Sequence, residues 1–336
     1  MSHLSARLVA ASVAVGALAV LAGCAGPATP AANPTSAATA DAAFPVTVEN
    51  CGTSVTIEHR PERIVMVNND ALSNLEALDA VDRIVAVTAT PQAGLYEQST
   101  YDTLAPLSVL STQKNATGGS VVSQESILGA QPDLVIAPEK AVNRAALAAV
   151  GIPVYSPTAY CADPPAAYTQ TATFQRVWDE VTTYGQILGV PDLASTVIAS
   201  AKEAVANSGS VDRGTAAALY VSSGGAVLSP YGGPSMVTPV FAAAGLSNVY
   251  ADTSQRVFDA NVEDVIARDP ATIVLLSSEA DPQTTRNAFL SSPGVAGLSA
   301  VKNNRVVVLP FPYTDPPSIL STRGPGVLAD ELAALG

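Results

Sequence analysis

Few residues in this chain can do bond-breaking chemistry. It holds two histidines, His3 and His59, and three cysteines, Cys24, Cys51 and Cys161. A His-ligated metal or a Ser-His-acid triad needs an imidazole held inside the fold. His3 falls in a segment set aside below. His59 sits in Ile57-Glu58-His59-Arg60-Pro61, a strand running into a turn, and reads as a surface side chain. The sequence has no Gly-x-Ser-x-Gly elbow, no phosphate loop and no His-Glu-x-x-His pair. No grouping of His, Cys and carboxylates suggests direct metal binding, so any metal is expected to arrive inside a chelator, and no cofactor is expected. A net charge of -13 and a pI of about 4.4 argue against nucleic acid as a partner. What remains is recognition chemistry: hydroxyls, amides and a few cations placed around a ligand.

Those groups need a scaffold. Residues 44–59 alternate in places (Val46, Val48, then Val55, Ile57) and suggest an antiparallel hairpin. Arg63-Ile-Val-Met-Val67 is a continuous apolar run, as in a strand covered on both faces. Asn68-Asn69-Asp70 then resembles a helix N-cap, and Leu72, Leu75, Leu78 and Val81 follow at helical spacing. Further strands are predicted over 83–87, 133–137 and 152–155, with helices over 123–128 and 143–150. The second half repeats the plan: strands over 216–222, 248–250, 272–277 and 305–309, helices over 234–244 and 262–268, a mostly helical stretch over 284–302 and a closing helix over 325–335. Strands alternating with helices imply parallel sheets. One phrase recurs, Glu125-x-x-Leu-x-x-Gln-Pro-Asp-Leu-Val-Ile and Glu263-x-x-Ile-x-x-Asp-Pro-Ala-Thr-Ile-Val. The fold class is therefore α/β, with two lobes, each a mainly parallel sheet flanked by helices. The first lobe is placed at 44–168, a helical linker region at 169–208 and the second lobe at 209–336. The linker pattern breaks at Gly189-Val190-Pro191, and a helix from there to Ser208 would run roughly 27 Å. One stiff helix between lobes predicts a small opening motion.

In open α/β sheets ligands sit beyond the carboxyl ends of the strands. That rule selects Asn68, Asn69 and Asp70, Tyr96 and Tyr101, Glu139 and Lys140, Ser222 and Ser223, Tyr231, Arg256, Ser278 and Glu279, Tyr313 and Arg323. Of these, Asn68, Asn69, Tyr96, Lys140, Tyr231, Arg256, Tyr313 and Arg323 form the candidate ligand set. The chain has only 16 Lys and Arg, so Arg256, Arg323 and Lys140 stand out. Such a trio would suit an anionic ligand.

The N-terminus reads as an address. Arg7 precedes an apolar run of about 14 residues, where a spanning helix needs roughly 20. Leu21-Ala22-Gly23-Cys24 looks like a bacterial lipobox. Residues 1–23 are then a lipoprotein signal peptide, Cys24 carries the lipid, and 24–43, rich in Ala, Pro, Thr and Ser, is a flexible tether. The expected location is the extracytoplasmic face of the cell membrane, held by the lipid anchor. Export leaves Cys51 and Cys161 in an oxidising space, and a disulfide between them is predicted. It would close a loop of about 110 residues, worth roughly 4–5 kcal/mol by chain entropy. Two free buried thiols are the alternative.

Together these features resemble the helical-linker class (class III) of ABC-importer substrate-binding lipoproteins, which serves ferric siderophores, haem and cobalamin. The resemblance is carried by Pro61-Glu62-Arg63-Ile64-Val65, by Leu75-Glu76-Ala77-Leu78-Asp79-Ala80-Val81-Asp82-Arg83-Ile84-Val85-Ala86-Val87-Thr88, and by the two helix–Pro–strand phrases. Asn50-Cys51-Gly52, Tyr160-Cys161 and the stretch 174–189 look like an actinobacterial branch described as the importer component for a deazaflavin-cofactor precursor. The resemblance implies a monomer that binds a metal chelate, a cobamide or a deazaflavin precursor between its lobes and delivers it to a permease dimer. It also implies that one glutamate per lobe, Glu125 and Glu263, docks on permease arginines. Carboxylates also favour helix N-termini by themselves. A secreted enzyme and a surface adhesion lipoprotein are the readings from other classes. The first lacks a nucleophile–base pair, and the second has no use for a cleft.

Overall fold

The computed structural model describes residues 43–115, 119–208, 211–221 and 228–335. The expected signal peptide, Cys24, the expected tether up to residue 42, Ser222 and Ser223 lie outside the described residues. No helix among those described is long and apolar enough to cross a membrane.

Strands β1 (Val46–Asn50) and β2 (Thr53–Ile57) form the antiparallel hairpin, with Val46 opposite Ile57. Its two-residue tip, Cys51 and Gly52, has φ of 51° and 73°, the double left-handed turn that matches strand twist. The first lobe's sheet is five parallel strands, β3 (Ile64–Met66), β4 (Ile84–Val87), β5 (Ser108–Val109), β6 (Leu134–Ile136) and β7 (Val154–Tyr155), in the order β5-β4-β3-β6-β7. The second contains β8 (Thr215–Val221), β10 (Ser247–Asn248), β11 (Thr272–Ser277) and β12 (Val306–Pro310), parallel in the order β10-β8-β11-β12. Strand β9 (Leu228–Pro230) runs antiparallel to β8. Both sheets are covered on both faces, by two hydrophobic clusters each, which is why their central strands read as unbroken apolar runs.

The repeated phrase folds the same way twice. Helix Gln124–Gly129 precedes Gln131, at φ 50°, then Pro132 and β6. Helix Val262–Arg268 precedes Asp269, at φ 39°, then Pro270 and β11. A left-handed residue ends each helix and the proline prevents its resumption.

The linker region holds two helices, Gln175–Ile187 and Pro191–Ala206, the second being the long helix that leads to the second lobe. A β-carbon on Gly185 would lie 2.4 Å from that of Ala194, so glycine is what lets them cross this closely. Pro191 opens the second helix, where a missing N–H costs nothing. The lobes also touch directly. Met236 and Ile319 of the second half join the hydrophobic cluster of the first. Asn74 Oδ1 accepts a hydrogen bond from the Ile319 backbone N–H at 3.0 Å.

Two sequence expectations are corrected. The closing helix is Ile319–Ala334, beginning six residues before Pro325, because Ser318 and Ser321 form a capping box that starts it earlier. Asn68-Asn69-Asp70 does not cap helix Leu72–Ala77; its N-cap is Ala71, without a side-chain bond. The side chains of Asn68 and Asp70 are committed elsewhere.

Candidate functional site

The first lobe's wall begins where β3 ends. Asn68 adopts φ 62°, and its backbone N–H donates to Thr88 Oγ1 at 2.9 Å. Its amide oxygen accepts from the Ser120 N–H at 2.9 Å, and its amide nitrogen donates to Asp70 Oδ2 at 3.3 Å. Asn68 thus frames the loop that presents Asp70. Asn69 donates to the Thr90 carbonyl at 3.2 Å, while its Oδ1 is buried without a donor. Asp70 Oδ1 accepts from the Tyr160 hydroxyl at 3.0 Å. Desolvation pushes the Asp70 carboxyl above its usual range, against the lowering by those two bonds and by Arg256. Tyr96, half-buried, packs edge-on against Tyr101 with centroids 5.9 Å apart and lies within the fields of Asp70 and Tyr313. The Tyr101 hydroxyl accepts from the Leu95 and Tyr96 N–H groups and donates to the Gln92 carbonyl, closing this loop on itself.

Tyr160 stands on an irregular segment after β7, so side chains must hold that segment in place. Asn50 bonds the Ser156 backbone twice, Nδ2 to its carbonyl at 2.7 Å and Oδ1 from its N–H at 2.8 Å. Arg144 donates to Asn50 and to the Val154 carbonyl and lies 3.7 Å from the Glu139 carboxylate, which accepts from the Ala162 N–H. Cys51 and Cys161 are joined by a disulfide, Cα–Cα 5.1 Å. From the other side Glu180, on the first linker helix, accepts from the Tyr155 hydroxyl at 3.0 Å and from Thr158 Oγ1 at 2.8 Å. Glu180 is buried with no ion pair among the described residues. Desolvation raises its carboxyl to about 7 despite those bonds. Cys51, Cys161 and Glu139 are close enough to hold a metal ion by type, but both sulfurs are committed to each other.

The second lobe's wall is built differently. β-Carbons on Gly232 and Gly233 would fall 2.2 Å from the Gln255 carbonyl oxygen and 2.4 Å from that of Ala251. These glycines let segment 251–256 lie directly on them, with Gly232 N–H donating to the Arg256 carbonyl at 3.0 Å. Arg256 is thereby fixed with its guanidinium against Asp315, in an ion pair whose carboxylate is only 1% exposed. The other Asp315 oxygen accepts from the Met236 N–H at 3.2 Å. Desolvation would lower the Arg256 pKa, but Asp315, with Tyr160, Tyr231 and Asp70, holds it above the ordinary value. Tyr231 is buried beside Phe311, centroids 6.3 Å apart.

The walls meet. The Arg256 guanidinium lies over the Tyr160 ring, 5.3 Å from its centroid. A chain of contacts, Asp70–Tyr160–Arg256–Asp315, therefore crosses from one lobe to the other. Gln92 Nε2 also donates across the cleft to the Glu279 carbonyl at 2.9 Å. At the linker, Arg176 donates to the carbonyls of Ala167, Gln170 and Pro234, and the Ala172 N–H donates to Gly233.

Of the sequence-predicted set, the structure brings together Asn68, Asn69, Tyr96, Tyr231, Arg256 and Tyr313. It does not assemble the cationic trio. Lys140 is exposed and lines a cavity of about 390 Å³ with Gln124, Ile127 and Asn143. Arg323 is exposed on the closing helix, and neither cation shares a partner with Arg256 among the described residues. Glu125 and Glu263 are exposed in the first turns of helices capped by Ser123 and Asn261, without an ion pair among the described residues. Sequence reasoning missed Tyr160, Asp315 and Glu180. Tyr160 precedes Cys161, Asp315 follows the last strand, and Glu180 is a lone acid on the apolar face of its helix; each was a usable signal.

Residues 64–313 match the family described as periplasmic binding protein. Of solved structures, one described as an ABC-type Fe3+-hydroxamate transport system from Saccharomonospora viridis DSM 43017 is 35% identical, with a TM-score of 0.79, covering 86% of this chain and 99% of that one. The periplasmic heme-binding protein RhuT from Roseiflexus sp. RS-1 is 22% identical and shares the fold, with a TM-score of 0.60 over 82% of this chain and 98% of its own. A curated cobalamin-binding protein of Halobacterium salinarum is 24% identical over 287 residues, 82% of this chain and 70% of its own.

Proposed function

This chain belongs to the periplasmic binding protein family, and from that premise we propose that it is the extracytoplasmic solute-binding component of an ABC importer, taking a metal chelate such as a ferric siderophore or haem between its lobes. The observation that carries the reading is the interlobe chain Asp70–Tyr160–Arg256–Asp315, where aromatic faces and a few placed polar groups from both lobes converge. The 35% identical structure described as an Fe3+-hydroxamate transport system favours a ferric hydroxamate. The curated relative described as cobalamin-binding favours a cobamide as the second reading.

The geometry supports a simple cycle. Tyr96, Tyr160 and Tyr313, which are half-buried, offer aromatic surface to a chelate. Its docking would exchange interlobe contacts such as Gln92–Glu279 for ligand contacts. The long linker helix Pro191–Ala206 is expected to keep the opening between the lobes small. Glu125 and Glu263, one unpaired carboxylate per lobe, give a two-point grip on basic permease residues. The lipid on Cys24 and the tether behind it would hold the body at the membrane face.

A thermal-shift panel tests this. A ligand that binds only the native state adds about 2.7 kcal/mol at one hundred times its dissociation constant. The expected result is a saturable rise in Tm with a ferric hydroxamate and none with free iron. A rise with cobalamin or a deazaflavin precursor alone moves the reading to that ligand. No rise with any of them contradicts the chelate reading.

A further inference from the structure

We propose that the cleft selects a ligand carrying a positive charge, with Asp70 as its counter-ion, over neutral and anionic ligands of the same shape. This rests on the interlobe cleft being the ligand site. Three charged side chains are linked across it: Asp70, Arg256 and Asp315. Two of them cancel. Asp315 is buried, and its carboxylate holds the Arg256 guanidinium with one oxygen and the Met236 N–H with the other. An anionic ligand that drew Arg256 to itself would strand a buried carboxylate, which is strongly unfavourable. Arg256 is therefore a weak anchor for anions.

Asp70 stands in the opposite condition. It is half-buried, and among the described residues its oxygens accept from neutral donors, the Tyr160 hydroxyl and the Asn68 amide, with no hydrogen bond from a cation. Arg256, over the Tyr160 ring, acts on Asp70 through space, without a hydrogen bond to it among the described residues. The carboxylate has spare lone pairs, so an ammonium or N–H group can bond to it without displacing either donor. The neighbouring Asn69 Oδ1 is a further acceptor without a donor. The faces of Tyr96, Tyr160 and Tyr313 favour a cation over an anion. Lys140 and Arg323, which could have reversed the balance, share no partner with this cluster. A net charge of -13 steers cations toward the protein.

The test uses ferrioxamine B, a ferric trihydroxamate with one free ammonium, its N-acetylated neutral derivative, and an anionic ferric tricatecholate. Affinities for the full chain are measured by calorimetry. The expected order is ferrioxamine B over the acetylated form by about tenfold, with the tricatecholate weakest. Asp70→Asn is expected to bring the affinities for the first two within about twofold of each other. Equal wild-type affinities, or a tighter tricatecholate, overturn the charge preference and leave the chelate reading standing. No binding by any of the three overturns the chelate reading and the inference with it. The wild-type comparison stands even where Asp70→Asn fails to fold.

Discussion

The two walls of the cleft present polar groups by opposite means. The second lobe sets Arg256 and Asp315 inside its own architecture. Its central strands β8 and β11 are seven and six residues long, two glycines seat segment 251–256, and the ion pair is roofed by protein. The first lobe's parallel sheet has strands of two to four residues, and Tyr160 lies beyond the last of them. It is held by attachments from distant sequence: a disulfide, the paired bonds of Asn50, and Glu180 from the linker. A group built into the fold stands or falls with it, whereas a riveted one can come loose while the fold survives. The first wall is thus the one whose order can be changed without unfolding the chain.

The largest expected effect breaks the second wall. Arg256→Ala leaves Asp315 buried and uncompensated, and urea unfolding is expected to show a loss of about 3–5 kcal/mol. Replacing both partners with apolar residues (R256M with D315L) is expected to recover most of that loss. On the first wall, Cys51→Ser with Cys161→Ser is expected to cost about 3–4 kcal/mol, less than the chain-entropy figure because the unfolded chain retains some structure. Here the pattern matters more than the size. Amide hydrogen exchange is expected to quicken across 156–162 well before it quickens in β8 or β11. Uniform acceleration would erase the distinction between walls.

Glu180 supplies a gentler test. Its folded pKa, about 7, lies above the unfolded carboxylate value of 4.5. Between those values the native state binds more protons than the unfolded chain, so stability falls as pH rises from about 4.5 to about 7 and stays lowered above it. The loss is on the order of 2–3 kcal/mol, and Glu180→Gln is expected to abolish that slope when unfolding is compared at pH 5 and pH 8. The smallest stability effects belong to Glu125 and Glu263. Alanine at either is expected to shift stability by less than about 0.5 kcal/mol. Charge reversal at both, Glu125→Arg with Glu263→Arg, is expected to abolish import in cells carrying the cognate permease.

Much of the framework was legible because it rests on local rules. The apolar runs at 63–67, 133–137 and 272–277 hold the strands, and Gln131-Pro132 and Asp269-Pro270 mark the helix ends. The strand-end rule found Asn68, Tyr96, Arg256 and Tyr313 because it locates loops on one edge of a sheet. It says nothing of where a side chain turns, so it also selected Lys140 and Arg323, which are exposed. Tyr160 was hidden in a Pro- and Ala-rich stretch whose order comes from attachments up to 110 residues away. Asp315 precedes Pro316 and looks like an ordinary turn residue; only the folded chain reveals that it neutralises Arg256.

The most direct test of the central claim is iron-edge diffraction from crystals of the full chain grown with ferrioxamine B. An anomalous iron peak in the interlobe cleft beside Tyr160 and Tyr96, with the ligand's ammonium on Asp70, is the predicted result. A peak in the cavity lined by Lys140, or no peak from protein saturated with the chelate in solution, would contradict it.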